Sequence, residues 1–212
     1  MHTLHAHFLC TSFIFNTRYY CGRLLTWCDG LGNSLLARPL DTCVYRAPTD
    51  NDRGGTALSY AARWLAYGLN DLHIEGEEVG ESKEVAIDHQ ERQFDGSYVI
   101  KTRWTLVPSS KNKNIIPCRI ICGATYTFLP SGGIHVDHWF FPPSYLPTLP
   151  RAGIRFAIPS KFEHIKWLGL GPHEAYDDRK FSTYLSTFEL SVMDLHTPYI
   201  YPQECGRRAD PR

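Results

Sequence analysis

Acidic and basic side chains crowd two short stretches of this sequence, and both could grip a hydroxylated ligand. After Gly169-Leu170-Gly171-Pro172 come His173, Glu174, Asp177, Asp178 and Arg179, and near the end come Glu204, Arg207 and Arg208. Carboxylates accept hydrogen bonds and guanidinium groups donate them, so either set suits a sugar hydroxyl, which does both. The same residues could instead pin a loop through an ion pair, a contact that says little about a ligand. Glu204 and His173 also have the residue types for mutarotase-like exchange, in which a carboxylate base and a histidine acid move protons. Sequence spacing alone does not place those two within reach of each other.

A third polar run is Tyr45-Arg46-Ala47-Pro48-Thr49-Asp50-Asn51-Asp52-Arg53-Gly54-Gly55. Short acidic and amide side chains hydrogen-bond nearby backbone, and glycine turns freely, so this run predicts a tight polar corner. Metal chemistry finds little support. His135, Asp137 and His138 crowd one strand, but the two-residue period puts only His135 and Asp137 on a shared face, and two ligands do not make a site. His2, His5 and His7 read as a frayed terminus. Gly169-Leu170-Gly171 echoes a phosphate loop, yet Pro172 removes a backbone donor and no helix is expected to follow. Neither a metal nor a cofactor is expected in this chain.

The elements that must hold these groups belong to a chain of 212 residues with 43% apolar and 21% charged residues, enough for one domain or two small ones with a sizeable core. Basic and acidic residues balance at 22 each, so no nucleic-acid stripe is present. Seven cysteines lie scattered without a Cys-x-x-Cys pair. Reduced thiols and a cytoplasmic setting are expected. No apolar run is long enough for a membrane helix.

Strand signals dominate. Tyr98, Ile100, Thr102, Trp104 and Leu106 alternate with more polar neighbours, and Ile120, Cys122, Ala124, Tyr126 and Phe128 share a face. A Ser131-Gly132-Gly133 turn leads to a strand over 134–141, and Ile154–Ile158 and Ile165–Leu168 read as further short strands. Between them Pro142, Pro143, Pro147 and Pro150 predict a stiff connection. Earlier, Ser12–Phe15 and Gly22–Cys28 read as a hairpin about Asn16-Thr17, and Asp29–Asn33 as a glycine-rich turn. One helix is expected, with Thr56 as its cap, Leu58, Ala61, Ala62, Leu65, Ala66 and Leu69 as its apolar face, and Gly68 near its end. The pattern is all-β with one short helix.

Three blocks, in order, carry a resemblance. Arg46-Ala47-Pro48-Thr49-Asp50-Asn51-Asp52 resembles the signature opening the C-terminal domain of family 2 β-galactosidases. Trp167-Leu168-Gly169-Leu170-Gly171-Pro172-His173-Glu174-Ala175-Tyr176-Asp177-Asp178-Arg179 is similar to that family's second block. Tyr199-Ile200-Tyr201-Pro202-Gln203-Glu204-Cys205-Gly206-Arg207-Arg208 is similar to the third, with Cys205 where the family usually has Asn. The likeness covers residues 11–212 and leaves 1–10 as an unassigned leader.

What the resemblance implies is an antiparallel supersandwich, galactose mutarotase-like, incomplete at its C-terminal end. The family's sugar-stacking tryptophan lies downstream of the third block, so none of Trp27, Trp64, Trp104, Trp139 and Trp167 matches it; Trp167 reads as core. Retaining glycosidases use two carboxylates about 5–5.5 Å apart, which this family carries on a (β/α)8 barrel. Such a barrel takes roughly 250 residues of alternating strand and helix, which this chain does not have. The resemblance therefore implies a supporting domain or small subunit of a lactose-hydrolysing β-galactosidase. Its partner would be a barrel-bearing large chain or the rest of the same polypeptide, within an oligomer. Its sugar-binding candidates are His173, Glu174, Asp177, Arg179, Glu204 and Arg207, and its structural signature is Arg46, Ala47, Pro48, Asp50, Asn51 and Asp52. A free-standing carbohydrate-binding or epimerase-like domain and a non-functional gene fragment stay open beside it.

Overall fold

The computed structural model describes residues 2–9, 23–29, 31–55, 58–75, 87–109 and 114–210. The hairpin expected about Asn16-Thr17 lies outside them. Among the described residues of the strand expected over Gly22–Cys28, Cys28 forms an isolated bridge to Ser34, and no regular strand is formed. The chain forms two compact units, one of Met1–Arg46 with Asp52–Ile158 and one of Ala47–Asn51 with Pro159–Arg212.

The first unit contains β1 (His2–Leu9), β2 (Arg38–Cys43), β3 (Leu72–Ile74), β4 (Ile87–Arg92), β5 (Tyr98–Pro108), β6 (Ile120–Phe128), β7 (Gly133–Phe141) and β8 (Gly153–Ala157). Its large antiparallel sheet runs β1-β7-β6-β5-β3, with β4 also paired to β5, while β2 and β8 form a second, two-stranded sheet. The alternation in the sequence sets which face is buried. Trp104, Cys122 and Phe140 sit side by side across β5, β6 and β7, as do Thr102, Ala124 and His138, then Ile100, Tyr126 and Val136. All nine are buried. Each large apolar side chain so buried contributes about 1.5–3 kcal/mol. Leu40 of β2 and Ile154 of β8 pack against the same core. The proline-rich loop carries the chain from β7 to β8, between the two sheets, as its stiffness predicts. Residues His2–Leu9, read from sequence as part of a frayed leader, instead run antiparallel along β7 from His2 opposite Phe140 to Leu9 opposite Gly133. The open edge of β7 offers them a row of backbone donors and acceptors.

The opposite face of the large sheet depends on one glycine. A Cβ on Gly123 would lie 2.3 Å from the Trp139 ring and 2.5 Å from the Thr102 carbonyl oxygen. The indole covers bare backbone there. Gly123→Ala is expected to destabilise the unit by about 1–3 kcal/mol, because the ring and the neighbouring strand must both shift. Urea unfolding monitored by circular dichroism measures this, and an unchanged midpoint would refute the packing argument.

Among the described residues, two short α-helices stand where one was expected. The Asp-Asn-Asp corner is itself one helical turn, α1 (Asp50–Arg53), and α2 spans Tyr60–Ala66. Ser59 caps α2, its hydroxyl accepting from the Ala62 N–H at 3.2 Å, and Thr56, the cap expected from sequence, lies outside the described residues. The buried face is also different. Ala61 and Trp64 point inward, while Leu58 and Leu65 are 78% and 49% exposed. Trp64 wins because it buries more surface and satisfies its indole N–H, which donates to the Thr148 carbonyl at 2.8 Å. Gly68 follows the helix with φ +63, the left-handed turn expected of it.

Candidate functional site

The second unit is built on β9 (His164–Gly171) and β10 (Tyr184–Ser191), paired antiparallel from Tyr184 opposite Gly171 to Ser191 opposite His164. Trp167 and Phe188 face each other across the pair with ring centroids 5.3 Å apart, so Trp167 packs on the ribbon, although it is half-buried and not part of the buried core expected of it. The chain's last described stretch lies alongside: Leu170 N–H donates to the Ala209 carbonyl at 2.9 Å and Ala175 N–H to the Arg207 carbonyl at 3.0 Å. Gly169 makes room for it, since a Cβ there would meet the Asp210 carbonyl oxygen at 2.9 Å. Backbone pairing thus brings the second and third sequence blocks side by side.

Glu174 is where they are fastened. It is only 7% exposed. Its Oε2 accepts from the Tyr199 hydroxyl at 2.5 Å and from Arg179 Nη2 at 3.1 Å, and its Oε1 accepts from the Gly206 N–H at 2.5 Å. Burial opposes the charge, but bonds from Tyr199, Gly206 and Thr197 and the Arg179 cation outweigh it and hold the carboxyl below its ordinary range. The same arrangement raises Tyr199, through burial first and then the adjoining Glu174 carboxylate. Tyr176 packs between two guanidinium groups, with Arg179 at 5.0 Å and Arg207 at 5.6 Å from its ring centroid. Arg207 also reaches Asp177 at 3.6 Å.

Beside this hub opens a cleft of about 250 Å³. One wall comes from the first block through Thr49, Asp50 and Asn51, and the other from Tyr176, Asp178, Arg179, Tyr199 and Gln203. Asp50 and Gln203 close a two-bond ring: Asp50 N–H donates to Gln203 Oε1 at 3.0 Å, and Gln203 Nε2 donates to Asp50 Oδ2 at 3.2 Å. Asn51 Nδ2 donates to Asp178 Oδ2 at 3.0 Å. All three sequence blocks therefore meet at one polar cleft, although about 120 residues separate the first from the second.

Of the sugar-binding candidates, Glu174, Arg179, Asp177 and Arg207 come together in this one network. Arg179 alone among the six lines the cleft. Glu174 is a buried fastener, the ion-pair role weighed in the sequence. His173 is exposed on the turn after the cis Gly171–Pro172 bond, and Glu204 is half-buried. The structural signature divides. Asp50 and Asn51 line the cleft, whereas Arg46 grips Asp52 within the first unit through two bonds at 2.5 and 3.2 Å and donates to the Pro150 carbonyl at 3.0 Å. Tyr199 and Gln203 were missed as site residues. Their signal was present in the third block, but nothing local ties an aromatic or an amide to a carboxylate far away in sequence. His135 and Asp137 do share a face, 3.5 Å apart, and His138 points the other way into the core.

A family profile described as "Beta galactosidase small chain" matches residues 11–212. The chain is similar to a protein named Beta-galactosidase from Vibrio cholerae serotype O1, with 33% identity over 204 residues, covering 90% of this chain and 18% of that relative. A Beta-galactosidase from Enterobacter cloacae is 32% identical over 202 residues, again 90% of this chain and 18% of the relative. One from Priestia megaterium is 29% identical over 178 residues, covering 84% and 15%. The chain thus spans less than a fifth of the length of these curated relatives.

Proposed function

Because this chain belongs to the β-galactosidase small-chain family, we propose that it is the supporting C-terminal domain or small subunit of an enzyme hydrolysing terminal β-D-galactosides such as lactose. It shapes and steadies the sugar pocket and the assembly, and the catalytic carboxylates come from a barrel-bearing large chain or from another part of the same polypeptide. The observation that carries this reading is that the second and third family blocks are fastened on one buried carboxylate, Glu174, and that the first block joins them at the adjoining cleft through Asp50 and Asn51, in a chain covering 18% of its first relatives. A carboxylate already saturated by a hydroxyl, an amide and a guanidinium is poorly placed as a nucleophile or acid and well placed as a fastener. The antiparallel sheets fit a mutarotase-like supersandwich, and the proposed enzyme is an oligomer. A cytoplasmic setting fits the five free cysteines among the described residues. Among those residues no helix is long and apolar enough to cross a membrane.

Purified alone, the 212-residue chain is expected to release no nitrophenol from a nitrophenyl β-galactoside. Mixed with a barrel-bearing chain that lacks this region, it is expected to restore turnover and to co-elute on gel filtration. Hydrolysis by the chain alone, or a partner fully active without it, would sink the proposal.

A further inference from the structure

The β1–β7 ladder assembles a set of metal-ligand residue types that neither strand holds alone. Residues directly opposite across an antiparallel pair share a face, and so do residues two apart along a strand. His5 stands opposite Asp137 and His7 opposite His135. These four positions therefore form a two-by-two block on one face of the sheet. That face is the outer one, because Ile134, Val136 and His138, on the alternate positions of β7, are buried. The sequence of β1 agrees with this register. Leu4, Ala6 and Phe8 stand opposite the buried positions, and Thr3, His5 and His7 opposite the outer ones.

Opposite residues have Cβ atoms about 4.5–5.5 Å apart, and positions two along a strand are about 6.6 Å apart. Such a block is small enough for four ligands to serve one ion. On β7 the donors are already gathered: His135 Nε2 lies 3.5 Å from Asp137 Oδ1. Zinc–ligand bonds of about 2.0–2.2 Å put neighbouring donors of a tetrahedron about 3.3–3.6 Å apart. Both side chains are part-exposed, 41% and 31%, so an ion has a way in. Taken from β7 alone, two ligands make no site, and the pairing doubles their number. We propose that His5, His7, His135 and Asp137 form a binding site for a divalent transition-metal cation, zinc first among them, that clasps β1 to β7. Three imidazoles and one carboxylate suit zinc's tetrahedral preference, whereas calcium and magnesium take oxygen ligands. The family match begins at residue 11, so half of this ligand set lies outside it.

The 212-residue chain, with its thiols kept reduced, is titrated with zinc chloride against a chromophoric chelator. One zinc per chain at micromolar Kd or tighter is expected, together with a higher melting temperature in zinc. His7→Gln, His135→Gln and Asp137→Asn should each weaken binding at least tenfold. His2→Gln should leave it unchanged, because His2 stands opposite Phe140 on the other face. This contrast separates the clasp from chelation by a histidine-rich terminus. Binding that falls with His2→Gln and ignores His135→Gln and Asp137→Asn would overturn the proposal. Circular dichroism checks that each variant is folded; should His135→Gln fail to fold, Asp137→Asn and His7→Gln carry the test. The seven cysteines are another source of ligands, so cobalt(II) is bound in a parallel sample. Visible bands of a tetrahedral site without a thiolate charge-transfer band in the near ultraviolet are expected. A thiolate band would assign the ion to cysteine and overturn the four-residue site. So would calcium binding as tight as zinc, or no saturation below about 1 mM zinc.

Discussion

Replacing Glu174 by alanine is expected to cost the Pro159–Arg212 unit about 3 kcal/mol, because it leaves two buried or half-buried donors unsatisfied, each worth roughly 1–3 kcal/mol. These are the Tyr199 hydroxyl and the Gly206 N–H. The third partner, Arg179, has a side chain 46% exposed, so water replaces most of that bond and it adds little. Glu174→Gln keeps the volume and one acceptor but turns an amide N–H toward a donor, and is expected to cost about half as much. Trypsin reads the difference at Arg179 and Lys180. Cleavage there tracks the opened population, so a loss of this size should accelerate it on the order of a hundredfold for Glu174→Ala. Cleavage no more than about threefold faster would mean that the hub holds nothing the rest of the unit does not hold, a difference of well under 1 kcal/mol. Acid has the same direction of effect. A carboxyl held below its ordinary value of 4.5 contributes stability above that value and loses it as pH falls through its folded-state titration.

The first unit should weaken at milder acidity than the second. His138 is 3% exposed, its ring tilted against Trp104 with centroids 5.4 Å apart, and its Nε2 lies 3.0 Å from the Thr42 hydroxyl. Burial lowers its pKa from 6.5 to about 4. The folded state keeps this ring neutral while the unfolded chain takes up a proton. The stabilisation is whole above pH 6.5 and falls away as pH drops toward 4, a loss of roughly 3 kcal/mol across that window. Chemical denaturation at half-unit steps from pH 7 to 4 should show that slope. His138→Gln is expected to start lower at pH 7, because it repacks a tight core, and to lose much less on acidification. A variant as acid-sensitive as the parent would remove His138 as the cause.

Much of the first unit was legible in the residue pattern because strand periodicity is local. The alternation from Tyr98 to Leu106 and from Ile120 to Phe128 fixed which side chains face inward, and the observed rows across β5, β6 and β7 follow it. The helix was legible in place but not in orientation. Leu58 and Leu65 mark an apolar stripe as plainly as Ala61 and Trp64 do. Only the Thr148 carbonyl, over 80 residues away, selects the tryptophan face. The β9–β10 ribbon was half seen, since Tyr184–Ser191 alternates too weakly to read alone.

The amino-acid order by itself determined the all-β class and the family. These depend on composition, short-range period and contiguous motifs, each of which is written along the chain. The tertiary structure decided what the polar residues do. It took Glu174 from ligand candidate to buried fastener, Asp50 and Asn51 from a corner to a cleft wall, and Tyr199 and Gln203 from bystanders to partners. A side chain's role depends on its desolvation and on which donors meet it, and those are set by residues folded in from elsewhere in the sequence.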